Sequence, residues 1–417
     1  MEMGQQITGH PVQGCDGTLL IYAPVPLVLR DGELYLEGQA CNGLRLWAEN
    51  FERVLVMMPL ERGDLPKGWV PLSNVGPALK RIEIHPLPTA YRPDQFARAY
   101  RKTRRRIRAL IKRADYLSFA IGGLFGDWGA VASMQAHRMN RPYAVWTDRV
   151  ESAVTHGEIQ GGTWKSRLKA RLYHRPMAML EQHVIRRATL GLFHGKDTFD
   201  TYAPFCADPV LVHDIHIAKA DHIPRAQLRH KVATVNEGPL KLVYVGRADA
   251  MKGPLDWVEV LCQLSRVGVD FEAMWIGEGE YLAKMKALVK EYDLTDRVRL
   301  VGFCNDRAKV LEAMRRAHVF LFCHKTPESP RCLIEALISG TPIVGYGSAF
   351  QRDLIAKHQG GRLVPMGDTR GLVEEVERIS KDRTALRQLI ANAARDGAPF
   401  DDVSVFRHRS DVIKARL

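Results

Sequence analysis

The sequence predicts an α/β protein of two Rossmann-like domains, each built on a parallel sheet. Three observations carry this. The chain has 417 residues, too many for one ordinary core and natural for two domains of about 200 residues. Its hydrophobic content of 46% and charged content of 26% are those of a globular protein. Short apolar runs alternate with longer stretches of helical periodicity in both halves, the rhythm of buried parallel strands joined by helices.

In the first half, residues 1–222, strands are expected at Leu19–Tyr22, Val54–Met58, Tyr116–Ile121, Tyr143–Trp146, Leu190–Phe193 and Val210–Val212. Helices are expected at Asn42–Phe51, Asp94–Lys112 and Asp127–Met139. In the second of these, Phe96, Tyr100, Ile107 and Leu110 keep a helical spacing, leaving the rest of the surface cationic. Residues 223–239 are polar and without a strand pattern, and read as the connection between domains. The second domain, residues 240–399, has the clearer rhythm. Its strands are expected at Leu240–Val245, Phe271–Ile276, Val298–Val301, Val319–Phe322, Pro342–Val344 and Arg362–Val364, with helices at Leu255–Val267 and Tyr281–Tyr292 between them. Residues 400–417 form a helical segment that could pack back on the first domain.

Four pieces of the second half carry chemistry. Thr326-Pro-Glu-Ser-Pro-Arg-Cys-Leu-Ile-Glu-Ala-Leu-Ile-Ser-Gly340 places Glu328 on a loop and Glu335 on the helix that follows. Two carboxylates so spaced can hold two ends of a polyol, and the free N–H groups of the helix start suit an anion. After the strand at Leu240–Val245, Gly246-Arg-Ala-Asp-Ala-Met-Lys252 brings Arg247 and Lys252 onto a turn. Two cations and free N–H groups there can hold a diphosphate without a metal. The strand ending Trp275-Ile-Gly277 and the strand Val298-Arg-Leu-Val-Gly-Phe303 each end in a glycine that admits a close backbone approach.

In this order and spacing the four pieces, with Gly360-Gly361 and Gly367-Asp368, resemble the donor domain of the retaining GT-B glycosyltransferases, called family 4 or group 1. The resemblance spans about Leu240 to Asp368. It implies the GT-B architecture, two Rossmann-like domains with parallel sheets facing across a cleft. It implies transfer of a hexose from a nucleotide diphosphate sugar to an acceptor hydroxyl with retention. Arg247 and Lys252 would clamp the pyrophosphate, Glu328 touch the sugar and Glu335 bind the ribose. Gly246, Gly277, Gly302, Phe303, Ser329, Arg331, Cys332 and Leu333 would complete the donor site. One departure stands out: Glu328 and Glu335 enclose six residues where the family has seven, and Ser329-Pro330-Arg331 replaces its Gly-Phe-Gly. Pro330 suits a first helical turn, and Arg331 offers a third cation near the phosphates.

On the acceptor side the family's glycine-rich loop after the first strand is missing. Candidates there are Gly38 and Gly43, expected just before a helix, and Gly122 and Gly123 after the strand at Tyr116–Ile121. Asp148, with Glu151 and His156 behind it, is the candidate acceptor contact and is grouped with Arg247, Lys252 and Glu328 as catalytic. Loop capping is an equal reading for each of these. No metal or other cofactor is expected, since no Asp-x-Asp pair, metal-ligand spacing or Walker lysine loop occurs. The same fold and donor site would also serve a sugar-nucleotide epimerase, or a non-catalytic protein that binds polysaccharide or partners.

The net charge of +13 is concentrated in Tyr91–Arg113 and in Trp164–Arg187, which implies an anionic partner. A basic helix at 94–112 with one apolar face suits an anionic membrane surface and a lipid-linked acceptor, such as a polyprenyl-diphosphate saccharide of surface polysaccharide assembly. Confinement of the arginines to one helix, without any nucleic-acid-binding module, argues against nucleic acid. The seven cysteines are dispersed with no Cys-x-x-Cys pair, which suggests free thiols. Neither a signal peptide nor a spanning apolar run is apparent, so a cytoplasmic location, peripheral to the membrane, is expected.

Overall fold

Among the described residues the first domain carries ten strands: Thr18–Tyr22 (β1), Leu27–Arg30 (β2), Glu33–Glu37 (β3), Arg53–Glu61 (β4), Trp69–Pro71 (β5), Ile82–Pro88 (β6), Tyr116–Ala120 (β7), Ala144–Thr147 (β8), Leu190–His194 (β9) and Pro209–Val212 (β10). The computed structural model describes residues 16–161, 164–213, 215–326 and 328–417. The helices of this domain are Gly38–Asn50 (α1), Pro93–Ile111 (α2), Trp128–Arg138 (α3), Glu151–Gly161 (α4), Trp164–Ile185 (α5) and Lys196–Tyr202 (α6). Its sheet runs β10-β9-β8-β7-β1-β4, with β6 parallel to β4. The central strands β1 and β7 are buried along almost their whole length, which is why they read as continuous apolar runs.

Each expected strand of this domain forms, and four others join them. β2 pairs in parallel with the end of β4, then turns back through Asp31 and Gly32 (φ 50° and 79°) to pair antiparallel with β3. Two successive residues at positive φ make a turn matched to strand twist, and Asp-Gly is its strongest local signature. At this edge an antiparallel hairpin extends the parallel sheet.

The second domain carries Leu240–Val245 (β11), Phe271–Ile276 (β12), Val298–Gly302 (β13), Val319–Phe322 (β14), Ile343–Tyr346 (β15) and Gly361–Val364 (β16). All six are parallel, in the order β13-β12-β11-β14-β15-β16. The remaining helices are Arg225–Thr234 (α7), Pro254–Arg266 (α8), Leu282–Glu291 (α9), Arg307–Arg316 (α10), Arg331–Ile338 (α11), Ala349–Leu354 (α12), Thr369–Lys381 (α13), Arg383–Gly397 (α14) and Asp402–Arg416 (α15). The polar stretch 223–239 thus contains a helix. It packs on the second domain, where the buried Lys231 amine donates to Thr341 Oγ1 at 2.7 Å. Its charge is stripped by burial, which pushes its pKa well below the ordinary lysine range.

The last helix, α15, lies against the first domain. Phe406 packs edge-on to Trp47 of α1, and the buried Arg409 guanidinium sits 4.8 Å from the same indole ring centre. Asn42 of α1 donates to Asp402 at 2.9 Å.

Helices α2, α3 and α5 cover one face of the first sheet and share a hydrophobic core. Ile107, Leu110 and Ile111 of α2 are buried there, and Phe96 and Tyr100 pack against it. The apolar face expected to meet a membrane is therefore turned inward, because it covers β7 and its neighbours. What α2 presents outward is cationic: Arg98, Arg101, Lys102, Arg105 and Arg108.

Candidate functional site

Both sheets reverse their strand order once, and loops at such a switch point form a natural crevice. In the second domain the switch lies between β11 and β14. After β11 the chain enters a tight turn, Ala250–Lys252, that ends at Gly253 (φ 63°). A Cβ at Gly253 would lie 2.1 Å from the Cys323 carbonyl oxygen, so the turn closes on the end of β14 only with glycine there. That closure sets Lys252 Nζ 2.5 Å from Glu328 Oε1, with the two side chains 13% and 11% exposed. The sequence-predicted Lys252 and Glu328 are one buried ion pair.

Behind them stands His324, which sequence reasoning missed. Its Nε2 lies 2.8 Å from Tyr244 Oη, and its Nδ1 has no hydrogen-bond partner among the described residues, lying 3.9 Å from Glu328. Burial, helped by the Lys252 charge, pushes its pKa well below the imidazole range, so the ring is neutral. Arg247 is exposed and pairs with Asp249 at 3.2 Å. An exposed pair is weak, which leaves its guanidinium able to exchange partners.

Glu335 is buried on α11 and accepts from Arg307 Nη1 at 2.7 Å, while Arg307 Nη2 reaches Asp221 at 3.1 Å. Arg307 was not among the sequence candidates. A signal existed: Asp306 caps α10 by accepting from Lys309 N at 3.2 Å, so a helix start just past β13 was legible. Gly340 (φ 61°) stops α11, its N–H donating to Leu337 O at 2.9 Å.

Gly246, Gly277 and Gly302 draw together the carboxyl ends of β11, β12 and β13. Gly246 N donates to Ile276 O at 3.0 Å and Gly277 N to Gly302 O at 2.8 Å. A Cβ on Gly277 would fall 1.9 Å from Gly246 O. Phe303 is exposed and meets the first domain, with Lys67 Nζ 5.9 Å from its ring centre. Lys67 also pairs with Glu278 at 2.8 Å.

Several candidates stand elsewhere than expected. The Leu333 side chain lies in the core and its N–H donates to Pro330 O at 3.2 Å. Cys332 is a packed thiol, pushed up to about 12 by burial. Helix α11 begins at Arg331, one residue after Pro330. Arg331 Nη1 donates to Gln39 Oε1 of α1 at 2.5 Å, and Ser329 Oγ donates to His194 O. Both join the domains, because the start of α11 abuts the first sheet. Cys41, Cys206, Cys262, Cys304, Cys323 and Cys332 are free thiols; Cys15 lies outside the described residues.

In the first domain the switch lies between β1 and β7. Asp127 sits at it and caps α3, accepting from Ala130 N at 2.9 Å and Gly122 N at 3.0 Å. Burial pushes its carboxyl up to about 6, and its charge together with burial lifts the neighbouring Tyr22 hydroxyl. Gly122 (φ 155°) faces Glu151, whose Cγ would lie 2.8 Å from an added Cβ. Gly123 shows no such demand. Arg149 Nε donates to Glu151 at 2.6 Å, and the Arg149 backbone bridges to Glu328. This bridge brings the loop holding Asp148 against the Lys252–Glu328 pair, joining the two switch points.

Gly38 and Gly43 do not precede a helix: α1 begins at Gly38 and Gly43 is inside it, its α-carbon facing the His216 ring and Phe406. Gly43 is there for helix packing. Gly38 N donates to Gly68 O at 3.3 Å. His156 lies on α4 with its ring 4.9 Å from that of His174 on α5, within the helical hairpin and off the strand edge. A cavity of about 470 Å³ opens at the ends of β4 and β6, lined by Leu60, Arg62 and residues 86–89. A larger one, about 850 Å³, lies between α10 and the starts of β11–β13, and none of its lining residues belongs to either switch point.

Two Rossmann-like domains meeting at their switch points define the GT-B fold. Residues 226–396 match the family described as glycosyl transferases group 1, so the second domain is a group 1 glycosyltransferase domain. Solved structures agree with the fold over nearly the whole chain. HepE of Anabaena in complex with UDP superposes with a TM-score of 0.66 at 13% identity, covering 96% of this chain and 100% of that one. WaaG, a glycosyltransferase involved in lipopolysaccharide biosynthesis, superposes at 0.62 with 16% identity, covering 95% and 99%.

Among curated relatives, the 2-deoxystreptamine glucosyltransferase of Streptomyces kanamyceticus is 30% identical over 157 residues, 37% of this chain. The amylovoran biosynthesis glycosyltransferase AmsK of Erwinia amylovora is 27% identical over 183 residues, 42% of this chain. The chain aligns with only 40% and 45% of the length of these two relatives.

Proposed function

We propose that this chain is a retaining glycosyltransferase of surface polysaccharide assembly. It moves a hexose from a nucleotide diphosphate sugar to a hydroxyl of a lipid-linked saccharide. The observation that carries this reading is the buried Lys252–Glu328 pair at the second switch point, bridged to Arg149 of the first domain. Relatives support it: AmsK is named for amylovoran biosynthesis, and HepE has been solved with UDP-glucose.

In the reaction, the bond from the anomeric carbon to the diphosphate oxygen breaks, and its electron pair leaves with the diphosphate. A bond from the acceptor oxygen forms on the same face, and the acceptor proton passes to the departing phosphate oxygen. Lys252 and Arg247 stabilise the charge growing on that phosphate, as does the start of α11. Glu328, held by Lys252, orients the sugar, and Glu335, held by Arg307, orients the ribose. Asp148 and Glu151 face the acceptor. No metal takes part, so a chelator leaves turnover unchanged. The outward arginines of α2 draw the protein to an anionic membrane face on the cytoplasmic side.

A thermal-shift panel of nucleotide diphosphate sugars tests the donor site, since a ligand that binds only the folded state stabilises it. The donor found is then assayed with Lys252→Ala and Arg247→Ala, each expected to lose roughly 100- to 1000-fold in turnover. Near wild-type turnover in both variants overturns the assignment. Isomerisation of the donor without acceptor would make the protein an epimerase.

A further inference from the structure

We infer that α5 is the element that enters the lipid surface, and that α2 supplies only charge beside it. This rests on the membrane reading above and adds the anchor that reading lacks. Trp164, Leu168, Leu172 and Met179 are 71%, 53%, 60% and 71% exposed. At 3.6 residues per turn these four positions fall within about 80° of one face. The opposite face is the one that packs: Ala170, Glu181, Val184 and Ile185 are buried. Large apolar side chains left exposed along one face of a surface helix mark an interaction site.

Charge complementarity selects the occupant. Arg167, Lys169 and Arg171 flank the stripe, Arg175 interrupts it between Leu172 and Met179, and all four are exposed. A tryptophan and leucines edged by cations form the pattern of a helix lying in the plane of an anionic bilayer. The helices α2 and α5 share one core on one face of the sheet, so the outward arginines of α2 and this stripe belong to the same side of the domain. Phe125 links them, touching Phe96 of α2 and Tyr173 of α5 with ring centres 6.2 and 5.8 Å apart.

The anchor also leads directly to the site. Glu181 of α5 accepts from both the N–H and the hydroxyl of Ser152, at 3.1 and 2.7 Å, and Ser152 follows Glu151. The helix that carries the anchor thus also holds the loop bearing the acceptor-side carboxylates, about 14 Å along its axis from Leu172.

The test is flotation of the full chain with phosphatidylglycerol-rich and with pure phosphatidylcholine vesicles, alongside tryptophan fluorescence. Wild type is expected to bind the anionic vesicles, with a blue shift that Trp164→Phe abolishes. Leu168→Asp with Leu172→Asp is expected to lower partitioning at least tenfold while leaving the donor-induced thermal shift intact. Both positions are exposed, so folding is retained, as the same thermal scan shows. If the double variant binds as wild type but Arg101→Glu with Arg105→Glu does not, the α5 inference fails and the membrane reading stands. If wild type binds neither vesicle, both fail, while the donor panel still judges the transferase reading. A soluble dimer that the double variant splits, without change in vesicle binding, would assign the stripe to self-association and overturn the inference.

Discussion

Gly253 decides where the site's lysine goes. Its φ of 63° and the 2.1 Å approach of a would-be Cβ to Cys323 O leave no room for any side chain. Gly253→Ala should cost at least about 1–2 kcal/mol from the left-handed backbone alone, with more from the clash. Because Lys252 would then withdraw from Glu328, turnover should fall more steeply than stability, which denaturant titration and an activity assay on the same sample would separate. From sequence, Lys252 and Glu328 were legible as cation and carboxylate on one sheet edge. Their pairing was not, since it depends on how closely two loops 76 residues apart approach. For the same reason Arg149 and His324 were not singled out: each matters through contacts that only the fold creates, Arg149 with Glu151 and Glu328, and His324 with Tyr244 and Glu328.

At the scale of elements, caps and faces carry the argument. Asp127 starts α3 and is held as a buried carboxyl titrating at about 6. An unfolded aspartate titrates near 3.9. Between pH 4 and 6 the folded chain therefore keeps a proton that the unfolded chain has released, and stability falls as pH rises through that window. Asp127→Asn removes this dependence. Relative to the variant, wild type should lose about 2 kcal/mol between pH 4 and 7, read from urea midpoints at both ends; a gap that stays constant would refute the assignment. Helical periodicity correctly marked the apolar face of α2, yet could not say whether it meets core or lipid. The hairpin β2–β3 was signalled by Asp31-Gly32, and its strands were missed because they are short and lie at an edge.

Across the whole molecule, the two domains are joined by specific polar contacts. Asp197 of α6 accepts from Ala349 N at 3.0 Å and Phe350 N at 3.2 Å, capping α12 of the other domain, and also from Ser348 Oγ. A cap shared between domains is a latch on their closure. Asp197→Ala should cost about 1 kcal/mol, roughly fivefold in the balance of closed and open forms. The radius of gyration in small-angle scattering should rise and KM for the donor increase, while the donor-saturated form regains wild-type dimensions. An unchanged scattering profile would show that α6 and α12 do not latch.

By itself the sequence determined the two α/β domains, the strand order's raw material, and the residues at the carboxyl ends of β11, β12 and β14. These are local properties: buried parallel strands are apolar throughout, helices repeat every 3.6 residues, and glycines mark tight turns. Only the tertiary structure decided which of those residues meet. It paired Lys252 with Glu328 and Glu335 with Arg307, set Arg331 and Ser329 against the first domain, and turned the apolar face of α2 inward while leaving that of α5 in solvent. The physical reason is that periodicity says a face is apolar, whereas its partner is chosen by the packing of segments distant in the chain.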